Sequence, residues 1–310
     1  MNFSIFSRFT RVAVALPALV FLSLTACSSR GSQVSDSIGT HLYTPVELPT
    51  KLSFAGEEVP LEYYDVRENL DREILSTVYF HSQTIRYIKN APRYFSIIEP
   101  ILKSNGIPED FKYLCVAESG FDIRAVSPAK AVGLWQILES TAKESGLEVN
   151  SEVDERFHIE KATEVACRIF KSNYQKFGSW ALVAASYNSG RTFIDRMLTN
   201  QKVKSYYDLQ FGEETTRYVF RILSFKLVME NPEKYGFIIP KDQYYPIIET
   251  KIVEVKGPVS DWPAFALENG INYKILKMFN PWIREPFLKN PTMKTYKVKI
   301  PEKGFRTKTY

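Results

Sequence analysis

The chain is poor in the residues that hold metals or staple small folds. Three cysteines and three histidines are spread over 310 residues. His41, His81 and His158 stand far apart, and no cysteine or histidine pair has the spacing of zinc ligands, so no metal or organic cofactor is expected. Charge of one sign is also scarce. A formal net charge of +5 without a basic stripe, finger spacing or recognition helix excludes a nucleic-acid partner. Long apolar runs are missing except for Val12 to Leu24, which is too short to span a bilayer comfortably. No internal repeat is evident. What is present is ordinary for a globular protein: 45% apolar and 24% charged residues, which excludes wholesale disorder. Aromatics reach 14%. That suits a groove gripping large polar ligands and an aromatic-packed core equally.

The apolar run follows Arg8 and Arg11 and ends in Leu24-Thr25-Ala26-Cys27, the order of a signal peptide. A small residue before cysteine, preceded by leucine, resembles the bacterial lipoprotein processing site. The resemblance implies a signal peptide over 1–26 and an acylated Cys27 that anchors the protein to a membrane. Ser28 rather than Asp follows the cysteine, so the outer membrane, facing the periplasm, is the expected location. Removing the signal takes two arginines and no acid, which lowers the formal charge by two. Of the other cysteines, Cys115 and Cys167 sit in apolar, helical-looking stretches, and sequence leaves open whether they pair.

Residues 27–60, rich in Ser, Gly, Thr and Pro, read as a flexible tether. A helical domain is expected over 61–235 and a small α+β appendage over 245–310. Within the first, two helices are expected between 69 and 105, the second beginning after Pro92. A third begins at Ile107-Pro108-Glu109-Asp110, with proline and acids in the first turn. Its Phe111, Leu114, Cys115 and Glu118 recur at i, i+3, i+4 and i+7. Glu118 therefore shares the apolar stripe, close to the end at Gly120, where partial burial would raise its pKa. Further helices are expected at 131–145, 160–177, 179–189 and 214–230. In the appendage, strands are expected at 245–255 and 295–300, with one or two short helices between Trp262 and Phe279.

The informative elements are Tyr113 to Phe121 around Glu118-Ser119-Gly120, Ala131 to Gln136, Val153-Asp154-Glu155-Arg156, Ala184 to Gly190, and Glu214 to Val219. Five ordered elements at this spacing resemble the lysozyme-like lytic transglycosylases with an SLT domain, of the membrane-bound D type. The resemblance covers roughly residues 95 to 230. It implies a mainly α, lysozyme-like catalytic domain acting on the glycan strands of peptidoglycan.

Glycosidic cleavage needs a proton on the leaving oxygen while positive charge develops at the anomeric carbon. Only Glu118 stands in a motif for that role. Glu139, Glu144 and Asp154 lie nearby and read as solvated charges. A single acid suffices if N-acetylmuramic acid supplies its acetamido group and its 6-hydroxyl. Glu118 would act as acid and then as base, leaving 1,6-anhydro ends, and such alternation requires a pKa near the working pH. The resemblance implies this outcome; spacing alone does not exclude hydrolysis. It further implies substrate-binding roles for Ser119, Gln136, Tyr187, Asn188 and Tyr218, although Tyr218 also reads as a core residue. Gly133 is expected to allow close backbone approach or a turn, and Trp135 is read mainly as core. Two departures from the family pattern stand out. Gln136-Ile137-Leu138 replaces Gln-Phe-Met, and Phe157-His158-Ile159 replaces Arg-Asp-Pro.

The run from Phe265 to Ile271, with Leu276 and Asn280-Pro281, is similar to part of a LysM glycan-binding module, and a plain stabilising extension fits it as well. Two other readings of the whole chain remain: a silent peptidoglycan-binding scaffold and a water-using muramidase. Protein partners are not indicated.

Overall fold

The computed structural model describes residues 44–306. The signal peptide, Cys27 and the first part of the expected tether lie outside the described residues. The rest of that segment is not a tether. Ser53–Phe54 (β1) and Glu57–Glu58 (β2) form an antiparallel hairpin, and Leu52, Phe54, Val59 and Leu61 are buried in the main core. Four apolar side chains in ten residues can bury enough surface to offset ordering. The Glu57 carboxylate then accepts from the Trp180 amide at 2.7 Å, which places an acid at the amino end of a later helix.

Ten α-helices follow among the described residues. Tyr64–Tyr79 (α1) and His81–Ser104 (α2) come first. The second does not start after Pro92, as expected, but runs through both Pro92 and Pro100. Proline costs an interior helix one donor and a clash with the preceding turn. Here buried Ile88, Ile98 and Leu102 hold the helix on either side of Pro92. A 3-10 turn at Glu109–Phe111 leads into the short Lys112–Ser119 (α3).

The helix expected at 131–145 shrinks to Glu139–Glu144 (α4). Residues 126–137 fold instead as a tight loop with bridges Val126↔Val132 and Val132↔Ile137. Its Gly133 and Gln136 adopt φ of 78° and 47°, which no helix tolerates. Ile159–Phe177 (α5), Trp180–Ser189 (α6) and Glu213–Glu230 (α8) match expectation closely. Arg191–Gln201 (α7) is a further helix that the sequence pattern does not announce.

Residues after 236 cross back over α2, where the Tyr245 amide donates to Lys89 O at 2.9 Å. The appendage pairs Thr250–Lys256 (β3) antiparallel with Thr295–Pro301 (β4), and between them lie Trp262–Glu268 (α9) and Tyr273–Phe279 (α10). Its core of Trp262, Leu276, Val298 and neighbours is not self-contained, because Val132, Val153 and Phe157 of the helical unit complete it. Trp282 O accepts from the Asp154 amide at 2.9 Å, and Glu152 O from the Arg284 amide at 2.8 Å.

Both remaining cysteines are buried free thiols. No helix among the described residues is long and apolar enough to cross a membrane.

Candidate active site

Glu118 sits in the last turn of an eight-residue helix. Gly120 closes that helix at φ 57°, ψ 32°, and a Cβ there would fall 2.6 Å from the Tyr87 ring. Glycine is thus required twice over, for the left-handed cap and for the close ring. The carboxyl remains half-buried. Its Oε1 accepts from the Tyr218 hydroxyl of α8, and among the described residues no donor is bonded to Oε2. Burial drives its pKa up to about 7, against the lowering influence of the Tyr218 hydrogen bond and the Arg221 charge; Glu214 adds to the rise. A carboxyl held near neutrality with one oxygen open can both give and take a proton.

The loop 130–137 forms the facing wall. Ser119 Oγ lies 3.1 Å from Cys115 O and 2.9 Å from Leu134 O, stitching the acid's helix to the loop. Tyr187 on α6 donates to Trp135 O at 2.6 Å, so its proton serves the same wall. Gln136 spends its amide donors on Gly133 O at 2.8 Å and Ala125 O at 3.3 Å, which leaves the carbonyl oxygen for other partners. Behind the loop, a Cβ on Gly133 would meet Arg156 O at 2.4 Å, so close backbone approach and a turn both explain this glycine. Asn188 stands beside Tyr187 and accepts from Thr215 Oγ1 at 3.4 Å.

The sequence around this site is similar to known families. Residues 95–210 match the family model described as "Transglycosylase SLT domain", and residues 251–304 match "Soluble lytic transglycosylase C-terminal LysM-like domain". Over residues 95–210 the chain is thus similar to an SLT domain. The membrane-bound lytic murein transglycosylase D proteins of two Escherichia coli strains, K12 and O6:H1, are each 28% identical over 240 residues, 75% of this chain and 52% of theirs. The chain therefore spans about half the length of these curated relatives. An X-ray structure of an inactive mutant of the lytic transglycosylase Slt from Pseudomonas aeruginosa superposes with a TM-score of 0.37 at 19% identity, covering 49% of this chain and 26% of that one.

Of the remaining sequence expectations, those for Trp135, Glu139 and Glu144 hold, and those for Tyr218 and Asp154 need adjustment. Tyr218 is buried rather than groove-lining, and its hydroxyl donates to the acid. Trp135 is fully buried, its indole donating to Thr163 Oγ1 at 2.8 Å. Glu139 and Glu144 are exposed. Asp154, expected to be solvated, is instead buried in a two-point pair with Arg156, at 2.9 Å to Nε and 2.8 Å to Nη2. The pair holds the loop, since Arg156 Nη1 donates to Lys130 O at 3.2 Å. Among the described residues there is no group of three or more side chains suited to a metal. Sequence reasoning also missed Arg221. Its position three residues after Tyr218 on a helix could have signalled it.

Proposed function

We propose that the protein is a lytic transglycosylase that cleaves the β-1,4 bond between N-acetylmuramic acid and N-acetylglucosamine in peptidoglycan. Glu118 acts as general acid and then as base. The observation that carries the reading is the Glu118 carboxyl itself, pushed to about 7 by burial and bonded through one oxygen to a tyrosine. Protonated Glu118 delivers its proton to the glycosidic oxygen, which departs with the bonding electrons. The substrate's acetamido group assists the positive anomeric carbon. Ionised Glu118, now stabilised by the Tyr218 hydroxyl, removes the proton of the 6-hydroxyl as that oxygen attacks, giving a 1,6-anhydro end and restoring the acid.

Ser119 and Tyr187 support this chemistry by fixing the wall opposite the acid, Asn188 follows Tyr187 and bonds Thr215 of α8, and the free carbonyl of Gln136 is suited to accept from a sugar hydroxyl or amide. We extend the proposal to the envelope: a signal peptide over 1–26, acylation at Cys27 and an outer-membrane location facing the periplasm. The LysM-like appendage would bind glycan beside the cut.

The test is mass spectrometry of muropeptides released from purified sacculi by protein lacking residues 1–27, beside Glu118→Gln. Anhydro ends from the parent, lost by a factor of about 10² to 10⁴ in the variant, support the reading. Reducing ends would turn it to a hydrolase, with exposed Glu214 the first group to test as water activator. No product from a folded parent that binds sacculi would leave a binding protein.

A further inference from the structure

Glu73 is the buried acid of α1, with its side chain only 2% exposed. Its Oε1 accepts from Arg217 Nε at 2.5 Å, and its Oε2 lies 3.6 Å from Arg221 Nε. Arg72 stands 3.7 Å away on the rim. A carboxylate is withdrawn from water at high cost unless cations meet it, so this cluster is built around the two arginines of α8. Those arginines are one turn apart and bracket Tyr218, the residue that donates to Glu118. Arg221, three residues beyond Tyr218, shares that helix side and bears electrostatically on Glu118. Neither Glu73 nor Arg221 falls within the 95–210 match. The helix that supplies Glu73 precedes the SLT domain and packs along α8, where Thr77 and Ser224 also share a buried hydrogen bond at 2.8 Å.

We propose that Glu73 is a positioning residue for the Glu118 site: it clamps Arg217 and Arg221 against α1, seats Tyr218 on the acid and draws the Arg221 charge away from it. The inference rests on reading Glu118 as the acid. The groups that bear on Glu118 are few. They are the Cys115 thiol on its own helix, the Tyr187 hydroxyl on α6, and Tyr218, Arg221 and Glu214 on α8. The Tyr87 ring of α2 packs against the neighbouring Gly120. Arg221 is the cation among them, so its restraint governs how readily Glu118 keeps a proton. With Glu73 neutral, the freed guanidinium favours the carboxylate, and Glu118 ionises at lower pH.

The experiment uses the full chain in four forms: parent, Glu73→Gln, Glu73→Asp and Arg221→Gln. Two readouts are followed, the pH profile of glycan cleavage and the titration of Glu118 by carbon NMR of labelled glutamate, assigned with Glu118→Gln. In Glu73→Gln the Glu118 midpoint and the alkaline limb should fall together by about half a unit to one unit. In Arg221→Gln both should rise, and Glu73→Asp should stay near the parent. A Glu118 midpoint unmoved in Glu73→Gln would overturn the proposal, even if activity dropped evenly at every pH or Arg221→Gln shifted the midpoint. If Glu73→Gln does not fold, Glu73→Met, which removes the charge with an apolar side chain of similar volume, takes its place under the same criterion. A midpoint that shifts as expected in protein with no cleavage activity would sink the catalytic reading and leave the clamp standing.

Discussion

Glu118 at the end of α3 and Glu160 at the start of α5 are both half-buried, yet they are driven in opposite directions. Burial carries Glu118 up to about 7 because its direct partner is a neutral tyrosine hydroxyl. Burial also pushes Glu160 upward, but the His158 ring, 3.2 Å away, and the Lys299 ammonium outweigh it and hold the carboxyl at about 2. One region thus keeps an acid that can exchange its proton near neutrality. The other has spent its acid on structure, tying α5 to strand β4 of the appendage. The same division marks the loop between them. Ser119 and Tyr187 grip it on the Glu118 side, while Val132 enters the appendage core from the other. What separates a carboxyl that can exchange its proton near neutrality from one fixed in an ion pair is therefore the partner supplied, not the depth of burial.

Breaking the scaffold side should have the largest effect on stability. Trp282 is buried, stacks on Tyr296 with centroids 5.5 Å apart, and receives the Asp154 amide on its carbonyl. Trp282→Ala should cost about 3 to 5 kcal/mol in urea unfolding. A much smaller loss would mean that the junction is loose and the contrast overstated.

Removing the acid should do the reverse. A carboxyl whose folded pKa is raised from 4.5 to about 7 contributes fully below 4.5, and that contribution is lost as pH rises through 7. Glu118→Gln should therefore stabilise the protein above pH 7, by up to about 3 kcal/mol, and not at pH 4. Thermal melts across pH would show the crossover, and equal melting temperatures at pH 8 would contradict it. The smallest effect lies at acid pH. Glu160, depressed from 4.5 to about 2, adds stability present above 4.5 that fades as pH falls toward 2. Lys299→Met should lower stability at neutral pH and flatten that acid decline. An unchanged slope in acid unfolding would show that Lys299 does not set the Glu160 carboxyl.

Much of the site is legible in the amino-acid sequence. The i, i+3, i+4, i+7 stripe puts Glu118 on a half-buried helix face with a glycine stop, and α3 has that form. Strand β4 and the short helices of the appendage follow their sequence patterns closely, while β3 begins at Thr250 rather than at Tyr245, and the LysM-like match covers residues 251–304. Other features are hidden for identifiable reasons. Residues 131–138 carry helix-compatible side chains but are bent by close approach to Arg156, which local periodicity cannot reveal. The hairpin at 53–58 reads as tether because its polar residues outnumber the apolar ones that find the core. The Phe157-His158-Ile159 departure reads as a change of helix start. Phe157 in fact enters the appendage core, with the Arg284 guanidinium 4.4 Å above its ring, and His158 stacks on Trp282.

By itself the sequence determined which residues could carry the chemistry, most of the helices around them and where the chain would change texture, because each depends on neighbours within a few turns. Only the tertiary structure decided what each ionisable group became. Tyr218 meets Glu118 across 100 residues of chain, and Lys299 meets Glu160 across 139. A carboxyl's proton affinity is set by the burial and partners that such closures bring together, and no local pattern records them.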